Sequence, residues 1–423
     1  MGVDGLYKFI NKKFPDIYNY ISINDIKGKS CIIDGMQHIY SQLIYMRSRN
    51  KEVIMPCGTN VSHIHGLINS LTYYLKNGII PIFIFDGKSP KIKEKKVEER
   101  KLILRENLKK LKELEETKNS LTELINFKIY DNEFSTGIDD NGDIIYGTPP
   151  DNFMEEELQK INDIQEEYKK IYKKSIILKD YYIKDWIEIL ELLGLPVIKA
   201  QEEADPLCAY ILRNNPEIFG IISDDSDMLV FGAPLLMRKS INQQFTILKL
   251  DILLNKISEL LSNEYKEKIT FTLDNLIDFS IFLGTDYGTF KLKREFEDSY
   301  EILKFYIENN KDYKNVINEV DYNSFNLIKL YYKYEEFNEY DYLLKKPKWE
   351  KPKLLELKLR LLELKIDEDY IDKNNEIFNV YFNKIKNNKF YFNYDNNKTF
   401  KEYNNELTEN VINEFACIFK FDN

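Results

Sequence analysis

Histidine is nearly missing from this chain of 423 residues: His38, His63 and His65 are all there is. A catalytic or metal centre built on several imidazoles is therefore excluded, and the alternation His63-x-His65 reads as a solvated pair rather than a pair of ligands. Cysteine is almost as sparse. Cys31, Cys57, Cys208 and Cys417 are scattered without paired spacing, which argues against a disulfide framework or a zinc site and fits a reducing compartment. No charged-then-apolar leader opens the sequence and no apolar run approaches the length of a bilayer crossing, so an intracellular protein without a membrane role is expected. A glycine-rich loop of Walker type ending in Lys-Ser or Lys-Thr does not occur, which leaves that mode of phosphate binding unsupported. Cationic charge is also in deficit. Sixty Lys and Arg against 70 Asp and Glu give a formal net charge of -10, the wrong sign for a nucleic-acid binder unless acids crowd one centre and bases line one path.

What the chain does have is acids in pointed places. In Gly220-Ile221-Ile222-Ser223-Asp224-Asp225-Ser226-Asp227 a short apolar run stops at three carboxylates within four positions. The run predicts a buried strand of a parallel sheet, and acids beyond its carboxyl end point into the crevice of an open α/β sheet. Like charges so close repel unless a cation sits among them. A hard divalent ion such as magnesium or manganese is one answer; an N-cap with solvated neighbours is the other. The pattern recurs. Ser30-Cys31-Ile32-Ile33-Asp34-Gly35 and Ile79-Ile80-Pro81-Ile82-Phe83-Ile84-Phe85-Asp86-Gly87 also end on an acid. One such ending is turn chemistry; three suggest convergence on one site. Glu203 and Asp205 open a helix, where its dipole tolerates acids, and Asp286 lies on a tight loop. Asp34, Asp86, Glu203, Asp205, Asp225, Asp227 and Asp286, with Asp224 as a neighbour, suit two hard ions roughly 4 Å apart that clamp a phosphodiester and activate water. Glycosidase chemistry needs only two acids.

The 43% hydrophobic content can bury a large core, in one extended domain or two. A helix is predicted over Leu6 to Phe14 and another after Gly35, with Ile39, Tyr40, Leu43 and Ile44 at helical spacing. From Lys88 to Lys118 there are twelve Lys or Arg against seven Glu, a locally basic helix that is either a substrate clamp or an exposed face laced with charge pairs. A loop is expected from Gly137 to Pro150, a charged helix from Phe153 to Lys174, a helix from Trp186 to Leu193, and a strand from Gly194 to Ile198. A β-ribbon around Leu235 to Leu248, a helix from Asp274 to Gly284 and a helix from Leu354 to Leu364 follow. The segment from Asn379 onward is rich in Asn, Lys, Tyr and Phe. No internal repeat is evident, and the last quarter shows no nameable chemistry. The regions divide at 1–116, 117–180, 181–300 and 301–423.

Met1-Gly2-Val3-Asp4-Gly5-Leu6, Ile33-Asp34-Gly35-Met36, Phe85-Asp86-Gly87-Lys88-Ser89-Pro90, Glu203-Ala204-Asp205, Asp225-Ser226-Asp227-Met228-Leu229-Val230-Phe231-Gly232 and Leu283-Gly284-Thr285-Asp286-Tyr287 occur in that order. In this the chain resembles the flap endonuclease/XPG family of structure-specific 5′ nucleases, over about residues 1–105 and 185–290. The resemblance implies an α/β, PIN-like fold: a central, mostly parallel sheet flanked by helices, with a helical arch insertion and a helical C-terminal extension. Regions 1–116, with the start of the arch, and 181–300 would form the nuclease, 117–180 the arch or cap, and 301–423 an extension of unassigned role. It implies two Mg²⁺ ions, replaceable by Mn²⁺, held by the seven acids, with Lys93 and Arg100 on the scissile phosphate. Gly2 would leave room for DNA, Tyr40 would stack on an unpaired nucleotide or else pack as a helix-face aromatic, Arg47 would lie near the duplex junction, and Lys88 would bind DNA. Branched or flapped DNA is the implied partner in replication, repair or recombination, cut to 5′-phosphomonoesters by a monomer in the nucleus or at a cytoplasmic replication site. Two alternatives stay open: a 5′→3′ exonuclease acting mainly on RNA, and a catalytically silent DNA-junction binder. Departures from the family stand out. Gly288-Thr289-Phe290-Lys291-Leu292-Lys293 lacks the family's Gly-x-Gly turn for gripping duplex and potassium, the insertion from about Thr117 to Asp180 is longer than a compact arch needs, which would alter threading of a free 5′ end, and the C-terminus lacks a sliding-clamp tag.

Overall fold

The computed structural model describes residues 2–55, 58–131, 135–138, 144–146, 155–239, 244–288, 290, 296–309, 319–333 and 350–387. Residues Met1–Phe382 form one compact unit and Asn383–Asn423 a second, of which only the end of one helix is described. The C-terminal end, where a sliding-clamp tag is lacking, and most of the Gly288 to Lys293 departure lie outside the described residues.

In chain order the first half comprises α1 (Leu6–Lys13), β1 (Asn19–Ser22), β2 (Ser30–Asp34), α2 (Gly35–Ser48), α3 (Ser62–Lys76), β3 (Ile80–Phe85), α4 (Glu94–Asp131), β4 (Ser135–Ile138), β5 (Ile144–Tyr146), α5 (Glu155–Lys174) and α6 (Asp180–Leu192). There follow β6 (Val197–Lys199), α7 (Ala204–Asn214), β7 (Ile218–Ile222), the single turn α8 (Asp227–Val230), β8 (Leu235–Lys239), β9 (Gln244–Lys249), α9 (Leu250–Tyr265), α10 (Leu273–Leu283), α11 (Ser299–Glu308), α12 (Glu319–Lys333), α13 (Leu354–Glu363) and α14 (Glu368–Asn387).

Seven strands form one sheet in the order β1-β9-β8-β7-β2-β3-β6. The run β8-β7-β2-β3-β6 is parallel, while β9 and β1 add an antiparallel edge. Parallel strands covered on both faces are apolar throughout, and every residue of β2 and β3 is buried. Alternation along these strands assigns the two faces. Ile32, Ile82, Ile84, Ile221 and Leu236 join one core with Leu6, Phe9, Leu207, Leu253 and Phe279 from α1, α7, α9 and α10. Phe83 turns the other way, onto Trp186 of α6 and His38 of α2. No helix among the described residues is long and apolar enough to cross a membrane.

Between β3 and α6 the chain leaves the sheet. Helix α4 runs 38 residues, about 57 Å at 1.5 Å per residue, and α5 packs against it with a Lys110–Glu167 ion pair at 2.5 Å. At the far side Arg47 on α2 donates to the Tyr172 and Ser175 carbonyls at 2.7 and 3.2 Å, so its guanidinium caps the last turn of α5, where carbonyls lack helical partners.

Several expectations need correcting. The segment expected as a loop from Gly137 carries paired strands, β4 against β5. The strand after Gly194 starts only at Val197, because Gly194 takes a positive φ of 69°. Helix α9 has no counterpart in the sequence reading. His63 is not solvated: it is 2% exposed and bonded to Asp185 at 3.0 Å. An i, i+2 pair alternates only on a strand. On α3 the 3.6-residue period buries His63 and leaves His65 partly exposed.

Candidate metal centre

Four adjacent parallel strands, β7-β2-β3-β6, deliver six acids at one edge. Asp34 is the last residue of β2 and Asp86 the first beyond β3; Asp225 and Asp227 follow β7, and Glu203 and Asp205 follow β6. Local chemistry fixes each. Asp34 caps α2 by accepting from Gln37 N–H at 3.1 Å. Asp86 accepts from Ala204 N–H at 2.7 Å, so the start of α7 is capped from another strand and not by Glu203. Asp225 accepts from Asp227 N–H at 2.9 Å. The glycines after the acids serve close approach. A Cβ on Gly87 would stand 2.1 Å from the Ala200 carbonyl oxygen, and one on Gly35 2.5 Å from the Phe85 ring, so larger residues would push the strand ends apart.

Asp205, Asp225 and Asp227 each offer an oxygen within 4.8 Å of the others. Asp34, Asp86, Glu203 and Asp286 surround them as electrostatic neighbours. Burial and mutual repulsion raise the acids' pKa values. Asp34 is pushed up to about 8 by burial and then by Asp86. Asp86 is pushed up to about 6 by burial, with the Ala204 hydrogen bond opposing and Glu203 adding to it. Burial raises Asp225, and burial followed by the Asp225 charge lifts Asp205 and Asp227 well above the carboxylate range.

Two cations from the base of the arch reach these acids: Lys93 pairs with Glu203, and Arg100 on α4 with Asp286. Burial disfavours the Lys93 ammonium, but Glu203 and Asp205 outweigh it and hold its pKa above the ordinary lysine value. Among the described residues Asp34, Asp86, Asp205, Asp225 and Asp227 have no ion pair. Asp224 stands apart, exposed and bound to Arg238 at 2.9 Å. Gly2 lies against the cluster with φ at +86°; a Cβ there would meet Asp225 Oδ1 at 2.2 Å. Val3 N–H donates to Ser226 Oγ at 3.0 Å, which holds this segment in place. Tyr40 is half-buried on α2 and Lys88 is exposed just beyond Asp86, whereas Arg47 is engaged with α5 as described.

The last quarter does reach the chemistry, contrary to expectation. Tyr332 on α12 donates to Asp227 Oδ1 at 2.9 Å. Glu203 Oε2 takes the Tyr287 hydroxyl at 2.7 Å and that of Tyr331 at 3.4 Å. Tyr287 closes the motif around Asp286, but no local pattern announces Tyr331 or Tyr332 in a chain with 30 tyrosines. The donor set is all carboxylate, buried and mostly without cations, which suits a hard divalent ion.

The family model for the XPG N-terminal domain matches residues 1–107, and that for the XPG I-region matches residues 194–286. Flap endonuclease 1 of Theileria parva is 28% identical over 346 residues, covering 81% of this chain and 58% of the relative. The chain thus spans little more than half of that relative's length. Flap endonuclease-1 from Methanococcus jannaschii superposes with a TM-score of 0.53 at 20% identity, over 89% of this chain and 98% of that one. Human GEN1 in complex with Holliday junction DNA gives 0.51 at 15% identity, over 93% and 81%. The superposition over 89% of this chain gives it the fold class of the flap endonucleases. Residues 1–107 and 194–286, which match the N-terminal and I-region models of the XPG family, together supply all seven acids of the site.

Proposed function

We propose that this chain is a divalent-metal-dependent, structure-specific 5′ nuclease acting on branched or flapped DNA. One observation carries the reading: seven carboxylates from four strand ends and the end of α10 meet two cations from the base of a 38-residue helix. The relative's name, flap endonuclease 1, and the junction DNA bound to GEN1 both point to branched substrates.

Asp34, Asp86, Glu203, Asp205, Asp225, Asp227 and Asp286 would hold two Mg²⁺ ions, or Mn²⁺ in their place. When bound, such ions supply Lewis acidity to the phosphate and a nucleophile at neutral pH. Lys93 and Arg100 exchange their carboxylates for the non-bridging oxygens of the scissile phosphate and offset the charge that grows there. Water oxygen bonds to phosphorus and the bond to the 3′ oxygen breaks, leaving a 5′-phosphate and a 3′-hydroxyl. Gly2 keeps the cleft open beside Asp225, Tyr40 stacks on an unpaired base, and Lys88 meets backbone phosphate. Arg47 serves the junction side by holding the arch leg. Residues 1–116 and 181–300 form the nuclease and 117–180 the cap, in an intracellular monomer.

The test is cleavage of an end-labelled 5′-flap duplex in Mg²⁺. The wild type cuts near the branch, and Asp86→Ala or Asp227→Ala abolishes the cut; full cleavage by both would sink the metal assignment. Single-stranded RNA in parallel tests the exonuclease alternative. The Lys93–Glu203 and Arg100–Asp286 pairs favour a second reading, junction binding without turnover, because they already neutralise part of the cluster. Tight flap binding with no product in Mg²⁺ or Mn²⁺ selects it.

A further inference from the structure

Asp227 is 1% exposed and sits at the start of a helix of one turn, too short to fix a side chain by itself. A carboxylate left to rotate would present either oxygen to a ligand. Here one oxygen is claimed from 105 residues away, by the Tyr332 hydroxyl. That hydroxyl is itself held. The Tyr332 ring packs on Phe231 at 4.7 Å and on Tyr287 at 5.2 Å, and α12 is fastened to α10 by Lys329–Asp278 at 2.5 Å and Lys333–Asp274 at 2.6 Å. The chemistry of the donor matters as much as its place. An ammonium here would compete with a metal ion for Asp227, whereas a neutral O–H orients the carboxylate and leaves its charge for the ion.

We infer that Tyr332 is a positioning residue for the metal centre, fixing Asp227 Oδ1 so that the second oxygen is presented to the cation. The inference rests on the metal reading of the acid site. Tyr331 differs: its hydroxyl reaches Glu203 at 3.4 Å, a carboxylate already held by Lys93 and Tyr287.

Calorimetric titration of the full chain with Mn²⁺ alone, without nucleic acid, tests the inference. Tyr332→Phe keeps the ring and its packing, so the metal-free melting temperature stays close to wild type while Mn²⁺ binds about tenfold more weakly, the usual cost of losing a ligand's hydrogen-bond partner. Tyr331→Phe binds within about twofold of wild type by the same principle. Unchanged affinity in Tyr332→Phe overturns the inference alone. An equal loss in both variants overturns it too, since a general effect of removing a hydroxyl near the cluster, and not the Asp227 hydrogen bond, would then be responsible. A wild-type chain that takes up no Mn²⁺ overturns the metal reading and this inference together.

Discussion

Among the places in the molecule that bury carboxylates, two are treated in opposite ways. Asp185 on α6 is 5% exposed. It accepts from His63 Nε2–H of α3 at 3.0 Å and from the Arg360 guanidinium of α13 at 3.0 Å, while Trp186 Nε1–H ties the His63 carbonyl at 2.9 Å. Three helices are joined through one satisfied acid. At the strand edge, Asp34, Asp205, Asp225 and Asp227 are buried to a similar depth, yet among the described residues ion pairs form only with their neighbours Glu203 and Asp286. An isolated buried charge is costly and a crowd of them costlier. The first arrangement is what a fold needs to hold together; the second lowers stability and makes sense as a place kept for an ion.

The contrast can be broken most severely at Asp185. Asp185→Ala leaves Arg360 and His63 facing an empty place, and removing one partner of a buried pair costs about 3 kcal/mol or more; urea unfolding of the variant measures it. The opposite sign is expected at the strand edge. Asp205→Asn removes a like charge from the cluster and raises the melting temperature of the metal-free chain, while weakening Mn²⁺ binding. A loss of stability there would show that the cluster is already compensated. The smallest effect is the pH slope. An acid whose folded pKa lies above its unfolded value binds extra protons in the native state, so its contribution to metal-free stability falls as pH rises. For Asp34 that window runs from its usual 3.8 to about 8, and for Asp86 from 3.8 to about 6. Melting curves with EDTA across this range should decline toward pH 8, and Mg²⁺ should recover more stability at pH 8 than at pH 5. Equal recovery at both would count against ions among these acids.

The acid edge is legible in the sequence because its signals are local: an apolar run, an acid, and at two strands a glycine. Gly35 and Gly87 follow Asp34 and Asp86 for reasons of close approach that a sequence shows only as an Asp-Gly pair. The compensated cluster is not legible. His63, Asp185 and Arg360 come from three helices and share no spacing, and His63-x-His65 looks like a solvated pair until the helical period is known. Tyr332 escapes for the same reason. Its partner is 105 residues distant, and an aromatic on an amphipathic helix looks like core from its spacing alone. Arg47 is singled out only by the family resemblance, and its bonds to the end of α5 depend on where the chain returns from α4, which no local pattern records.

Helix α12 gives the molecule a sense of order in time. All seven acids are in the chain once residue 286 is made, and the Tyr287 hydroxyl that Glu203 accepts follows at once, but the hydroxyl that steadies Asp227 arrives only with residue 332. A chain stopped before α12 would therefore carry the whole acid cluster and still leave Asp227 without its tyrosine.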